Sequence, residues 1–201
     1  MPHTTSPRAA QALRTLRRTL VFLAFAGATA LVTQPPQAHA DGLSEARQLV
    51  TEGRLPQALA KVDALIAANP KDPQYAFLRG VILSAQHKTE EAIQVFTRLT
   101  EQYPELPEPY NNLAVLYARQ GHDEKARAAL HMAIRTNPGY ATAYENLGDI
   151  DAKLAGQAYQ KALQLAPGDD TRIKFKLKLI RELLGQAPLT PEPPAAPVKS
   201  Q

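Results

Sequence analysis

Few residues in this 201-residue chain are equipped to do chemistry. It has no cysteine, which removes disulfides, thiol catalysis and thiolate metal sites together, along with the cysteine that a bacterial lipoprotein anchor requires. Beyond residue 40 the histidines are His87, His122 and His131, and no two of them have the spacing that places a pair of metal ligands on one helix face. No glycine-rich phosphate loop and no Gly-x-Ser-x-Gly nucleophile turn occurs. The densest acidic group is Glu145, Asp149 and Asp151. Glu145 and Asp149 are one helical turn apart, a spacing that suits a cation site or an acid/base pair, and equally a solvated face or a contact for a basic ligand residue. With no nucleophile, phosphate loop or metal set beside them, the residues favour a protein that is not an enzyme and carries no cofactor.

The elements that carry these residues lie between two dissimilar ends. Residues 1–40 hold four arginines, Arg8, Arg14, Arg17 and Arg18, and no acid. A 13-residue apolar run from Leu20 to Val32 follows them, and the segment closes on Ala38-His39-Ala40. A charged start, a short apolar run and a small-x-small ending are the three parts of a secretory signal peptide. The run is short for a membrane span of about 20 residues, and Pro35-Pro36 breaks any helix ahead of the cut. Cleavage after Ala40 is expected, leaving Asp41 as the first mature residue and placing the protein in the periplasm. A secreted protein, or one tethered by an uncleaved signal, is the alternative, and Arg17-Arg18 fits a twin-arginine signal poorly. The whole chain is formally +4, but residues 41–201 carry 19 basic and 19 acidic side chains. The basic excess belongs to the leader. A nucleic-acid partner, which needs a basic footprint, is therefore not expected, nor is a stable membrane anchor after cleavage.

Between the ends the chain repeats. Pro70, Pro104 and Pro138 are 34 residues apart, as are Ala58, Ala92 and Ala126, and Ala46, Gly80, Ala114 and Gly148. Three series with one period mark a repeat architecture. Each copy reads as two helices. In the third, Tyr110, Leu113, Ala114 and Tyr117 form the apolar face of the first, which Gly121 ends. Asp123 is placed to cap the second, whose stripe is Ala126, Leu130, Ala133 and Ile134 and which Pro138 stops. Small residues at Ala114 and Ala126 let two antiparallel helices approach closely, while Leu113, Tyr117 and Leu130 fill the space between hairpins.

These residues resemble the tetratricopeptide repeat family, whose pattern is a bulky residue, Leu-Gly, Tyr, Ala, Phe, Ala and Pro at fixed offsets. The third copy matches with Tyr110, Leu113, Ala114, Tyr117, Ala126, Leu130, Ala133 and Pro138. The second matches with Gly80, Leu83, Ala92, Phe96, Leu99 and Pro104, with Arg79 where leucine is usual. The first is the weakest, with Ala46, Leu49, Gly53, Ala58, Val62, Leu65 and Pro70. The resemblance implies an all-α fold, a right-handed superhelical α-solenoid of antiparallel helix pairs. It divides the chain into a signal peptide (1–40), a repeat domain (41–187) and a proline-rich tail (188–201). The copies fall at about 41–72, 73–106, 107–140 and 141–167.

The fourth copy departs from the pattern. It opens with Tyr144, Leu147 and Gly148, but Ala155, Tyr159, Ala162 and Pro167 each follow their counterparts by 29 residues instead of 34. The five missing residues fall where the turn should be, and no helix breaker follows Gly148. One long helix from about Ala141 to Ala166 is expected, with the stripe Leu147, Leu154, Ala158, Ala162 and Leu165; a compressed hairpin is the alternative. A last helix over 171–184, capped by Asp170, has Ile173, Leu177, Ile180 and Leu184 on one face and fits the terminal cap that a solenoid needs, with a polar outer face. Its Lys174, Lys176, Lys178 and Arg181 read as a solvated face, with anionic lipid or nucleic acid as the alternative. The tail, with five prolines among 188–201, reads as an extended spacer.

In arrays of this family the first helix of each pair lines a concave groove. The resemblance assigns groove positions to Arg47 in the first copy and to Phe77, Val81 and Ser84 in the second. The third supplies Asn111, Asn112, Val115 and Arg119, and the fourth Glu145, Asn146 and Asp149. Asn112 and Asn146 share one repeat position, where an asparagine in this family commonly bonds the backbone of an extended ligand; an exposed helix residue is the plainer reading. No lysine stands where family members clamp a ligand carboxylate. The resemblance thus implies a scaffold for a protein or peptide ligand, and with the expected export it points to a role in cell-envelope assembly. A structural subunit that forms homo-oligomers or caps a larger complex is the second reading.

Overall fold

The computed structural model describes residues 36–165 and 170–185, so the expectations for the leader up to residue 35 and for the tail from 188 onward lie outside the described residues. The described residues form eight helices: α1 (Pro36–Thr51), α2 (Leu55–Ala68), α3 (Pro73–Ala85), α4 (Thr89–Gln102), α5 (Pro107–Arg119), α6 (Asp123–Thr136), α7 (Ala141–Leu165) and α8 (Thr171–Leu184). The expected all-α solenoid is what the chain builds.

Each boundary has a local cause. Prolines near the starts of α2, α3 and α5 sit where a missing N–H does no harm. Asp72 caps α3, its Oδ1 accepting from the Gln74 N–H at 2.9 Å. The turns inside the three regular hairpins reverse at Gly53 (φ +72°), His87 (φ +59°) and Gly121 (φ +75°), positions 34 residues apart. Two of the expected caps are replaced. Asp123 is the first helical residue of α6, after His122, and its carboxylate is used elsewhere. Asp170 does sit at the N-cap of α8, but its carboxylate pairs with Lys174 at 2.7 Å and makes no capping bond.

Packing runs between successive helices, as a stack of repeats requires. The first hairpin and the start of the second bury Leu43, Ala46, Ala58, Val62, Tyr75, Leu78 and Ile82. The second and third hairpins and α7 share a longer cluster through Leu83, Phe96, Leu113, Leu116, Leu130, Ala133 and Ile150. The small repeat position explains the close approach. A Cβ on Gly80 would come within 2.7 Å of the Phe96 ring.

Copy four does not fold back at its expected turn. α7 runs unbroken for 25 residues, because the missing five residues leave no place for a reversal. Its buried side is Ala143, Asn146, Ile150 and Gly156, with Leu147 and Leu154 packed partly against the core. Ala158 and Leu165, expected on the buried stripe, are exposed. Gly148, whose counterparts Ala46, Gly80 and Ala114 are all buried, faces open space: a Cβ there would meet nothing within 4 Å. The helix that would cover it is α7's own continuation. α8 docks further along, where Ile180 and Leu177 lie against Gly156. Its inner face is the expected one, with Leu177 buried and Ile173, Ile180 and Leu184 half-buried. Its outer face is not polar, since Phe175, Leu179 and Leu183 are exposed.

Candidate ligand-binding face

The first helix of each hairpin carries the residues assigned to the groove, and the structure treats them unequally. Arg47 on α1 is half-buried and its Nη2 reaches Gln74 Oε1 at 3.5 Å; burial lowers its guanidinium below the ordinary value. Phe77, Val81 and Ser84 on α3 are half-buried, and Phe77 leans on the Phe96 ring with centroids 5.6 Å apart. On α5, Asn111, Asn112 and Val115 are buried, while Arg119 is exposed. On α7, Asn146 is buried, Glu145 exposed and Asp149 half-buried.

The two asparagines of the shared repeat position are engaged differently. Asn112 turns onto its own helix, its Nδ2 donating to the Glu108 carbonyl at 2.9 Å. Asn146 reaches across to α5, its Nδ2 donating to Asn111 Oδ1 at 2.8 Å. That bond occupies one lone pair of Asn111 Oδ1. The Asn111 Nδ2, on a side chain with 0% exposure, has no hydrogen-bond partner among the described residues. A buried amide donor without an acceptor is unfavourable by roughly 1–3 kcal/mol.

The acidic group around α7 is unequally exposed. Glu145 and Asp151 are exposed. Asp149 is held above the ordinary carboxylate range, first by burial and then by the neighbouring Glu145 charge. Among the described residues no three His, Asp or Glu side chains are grouped to hold a metal ion.

A polar cluster that the sequence did not suggest ties copy three to copy four. The Asp123 carboxylate is buried at the start of α6, with Lys153 Nζ 2.6 Å from Oδ1 and Gln157 Nε2 2.8 Å from Oδ2. Lys153 and Gln157 are one turn apart on α7, on either side of the position, 34 residues after Gly121, where a regular hairpin would turn. The shortened copy was the available signal, since it alone carries this helix past the start of α6.

Two tetratricopeptide repeat profiles match the chain, over residues 43–107 and 83–148, and together they cover more than half of it. The chain belongs to the tetratricopeptide repeat family. Tetratricopeptide repeat protein 16 of Macaca fascicularis is 28% identical over 172 residues, which is 77% of this chain and 19% of that protein. The chain therefore spans about a fifth of the length of that relative. Among solved structures, a thermophilic tetratricopeptide protein of Thermus thermophilus superposes with a TM-score of 0.54 at 22% identity, covering 74% of this chain and 84% of the other. MamA superposes with a TM-score of 0.52 at 21% identity, covering 73% and 82%. At these identities the likeness is one of fold. Tetratricopeptide proteins are in general protein- and peptide-binding scaffolds without catalysis, and nothing in the arrangement above supplies a reaction.

Proposed function

We propose that this chain is a periplasmic, non-enzymatic scaffold that holds an extended segment of a partner protein along the face made by α3, α5 and α7, in the service of envelope assembly. The observation that carries the reading is the unpartnered Nδ2 of Asn111, fixed in place by the bond from Asn146. An extended peptide offers backbone carbonyls at regular intervals, and one of them reaches this donor once the side chains that cover Asn111, which is 0% exposed, move aside. Half-buried Phe77 and Val81 supply apolar contact beside it, and Arg119 and Glu145 offer charges of both signs. Export rests on the arginine-rich start, the short apolar run and the Ala38-His39-Ala40 ending.

The test is a photo-crosslinking residue at exposed Arg119 in the full-length chain in cells, with capture compared in a second variant that also carries Asn111→Leu. One discrete partner captured by the first and lost in the second, with unchanged melting, is expected. Capture that is diffuse, or indifferent to Asn111→Leu, sinks the reading. Fractionation of the same cells and sequencing of the protein's N-terminus test the location. Asp41 as the first residue is the expected outcome, and an unprocessed cytoplasmic chain overturns the periplasmic assignment.

One observation favours a structural role instead. Tyr144 is 50% exposed and Gly148 is uncovered, on the helix face that in regular copies packs a returning helix. Sedimentation over a range of concentrations decides: a stable homo-oligomer supports that reading, and a monomer leaves the binding scaffold.

A further inference from the structure

The last helix has two apolar faces. Ile173, Leu177, Ile180 and Leu184 turn towards α7, whereas Phe175, Leu179 and Leu183, spaced by four, are 60%, 48% and 58% exposed. The alternation in Ile-Lys-Phe-Lys-Leu-Lys-Leu produces this, since at 3.6 residues per turn such a run places apolar residues on opposite sides of the helix. The same helix carries Arg172, Lys174, Lys176, Lys178 and Arg181 against the single acid Glu182, whereas the rest of residues 41–201 holds 14 basic and 18 acidic side chains. Lys174 pairs with Asp170, Lys178 stands 3.7 Å from Glu182, and Lys176 lies over the Tyr159 ring. Arg172 and Arg181 have no ion-pair partner among the described residues. At 100° per residue, Arg172 falls within the arc of the outer stripe, Lys176 borders it on one side, and Glu182 with its partner Lys178 borders it on the other.

We propose that the outer face of α8 docks on the surface of an anionic phospholipid bilayer. The inference is independent of the ligand reading of α3, α5 and α7. Three side chains are too little surface for a protein interface, which buries about 800 Å² on each partner. A second copy would set one basic helix against another. Nucleic acid would leave the apolar stripe in water. A helix with a short apolar stripe and a cationic excess around it instead suits the boundary between acyl chains and anionic headgroups, where few residues and net positive charge suffice for reversible binding.

The chain has no cysteine, so a single introduced one can be labelled cleanly. The experiment uses the full chain carrying Leu183→Cys with an environment-sensitive fluorophore, beside a control labelled at exposed His131→Cys. Because the fluorophore reports its own surroundings, insertion of the apolar run at 20–32 does not mimic a signal from α8. Vesicles of phosphatidylglycerol and phosphatidylcholine in equal parts are expected to blue-shift the α8 probe and not the His131 probe. Raised salt reverses the shift. The combined Arg172→Glu, Lys176→Glu and Lys178→Glu variant, checked for helicity by circular dichroism, is expected to partition at least about 100-fold more weakly, from roughly fivefold per charge removed. No shift, an equal shift at His131, or an equal shift on pure phosphatidylcholine overturns the proposal. So does a shift without vesicles that grows with protein concentration, which assigns the face to a second copy. A response to polyglutamate and not to vesicles overturns it in favour of an acidic protein partner.

Discussion

Lys153 Nζ lies 2.6 Å from Asp123 Oδ1, and the carboxylate it meets is only 4% exposed. With Gln157 on the other oxygen, the pair joins the start of α6 to the middle of α7. It stands in for the hairpin turn that the fourth copy lacks. A buried carboxylate is tolerated while partnered and strongly unfavourable when stripped. The combined variant Lys153→Met and Gln157→Leu is therefore expected to lose about 3 kcal/mol or more of unfolding free energy. Adding Asp123→Ala to that variant is expected to recover part of the loss. Urea denaturation of the three proteins checks this, and no recovery on the third substitution would count against a charge-based account.

One repeat position gives opposite results in two copies. At Gly80 a methyl group would press into the Phe96 ring, at 2.7 Å from two ring carbons. Gly80→Ala is expected to destabilise by about 1–3 kcal/mol, the usual range for an overpacked core. At Gly148 the same methyl meets nothing within 4 Å. Gly148→Ala is expected to stabilise by up to about 1 kcal/mol, because alanine restricts the unfolded chain and favours helix. Thermal melts of the two variants should move in opposite directions.

That contrast marks how far the sequence could be read. The 34-residue series placed the hairpins, the turn at Gly121 and the long α7, because spacing alone determines where helices start, stop and share a face. Spacing does not say which faces the stack leaves open. Gly148 has the identity of its repeat position without the neighbour that makes it necessary. Asn112 and Asn146 occupy one position, yet Asn112 bonds its own helix while Asn146 bonds Asn111 on the helix opposite. Phe175, Leu179 and Leu183 were legible as apolar residues, but only the docking of Ile180 and Leu177 on Gly156 shows that they point away from the stack. Asp123 looked like a cap because its type suits one. Its real partners come from α7, 30 and 34 residues away along the chain.

The second hairpin turns at His87 with φ +59°, where the first and third use Gly53 and Gly121. A side chain in the left-handed region is disfavoured by roughly 1–2 kcal/mol, and glycine escapes that while losing more freedom on folding. His87 is exposed, so its replacement removes little packing. His87→Gly is expected to raise stability by about 0.5–1 kcal/mol, read as a higher denaturation midpoint with an unchanged slope. His87→Ala keeps the strain and should give no such gain.

Asp149 supplies the pH dependence. Burial, reinforced by Glu145, raises its pKa from the ordinary 3.8, so the folded state holds this proton more tightly than the unfolded chain. The stabilisation is complete below the unfolded value and is lost as pH rises through the folded one. At neutral pH the ionised carboxylate is therefore a burden on the fold. Asp149→Asn removes the titration while keeping the shape of the side chain. The variant is expected to be more stable than the parent at pH 7, and the advantage is expected to shrink to nothing as the pH falls below about 3.9, the unperturbed value for an aspartate. Denaturation midpoints of both proteins from pH 3 to pH 7 give the comparison. A difference that stays constant across that range would place the effect in packing and not in the charge.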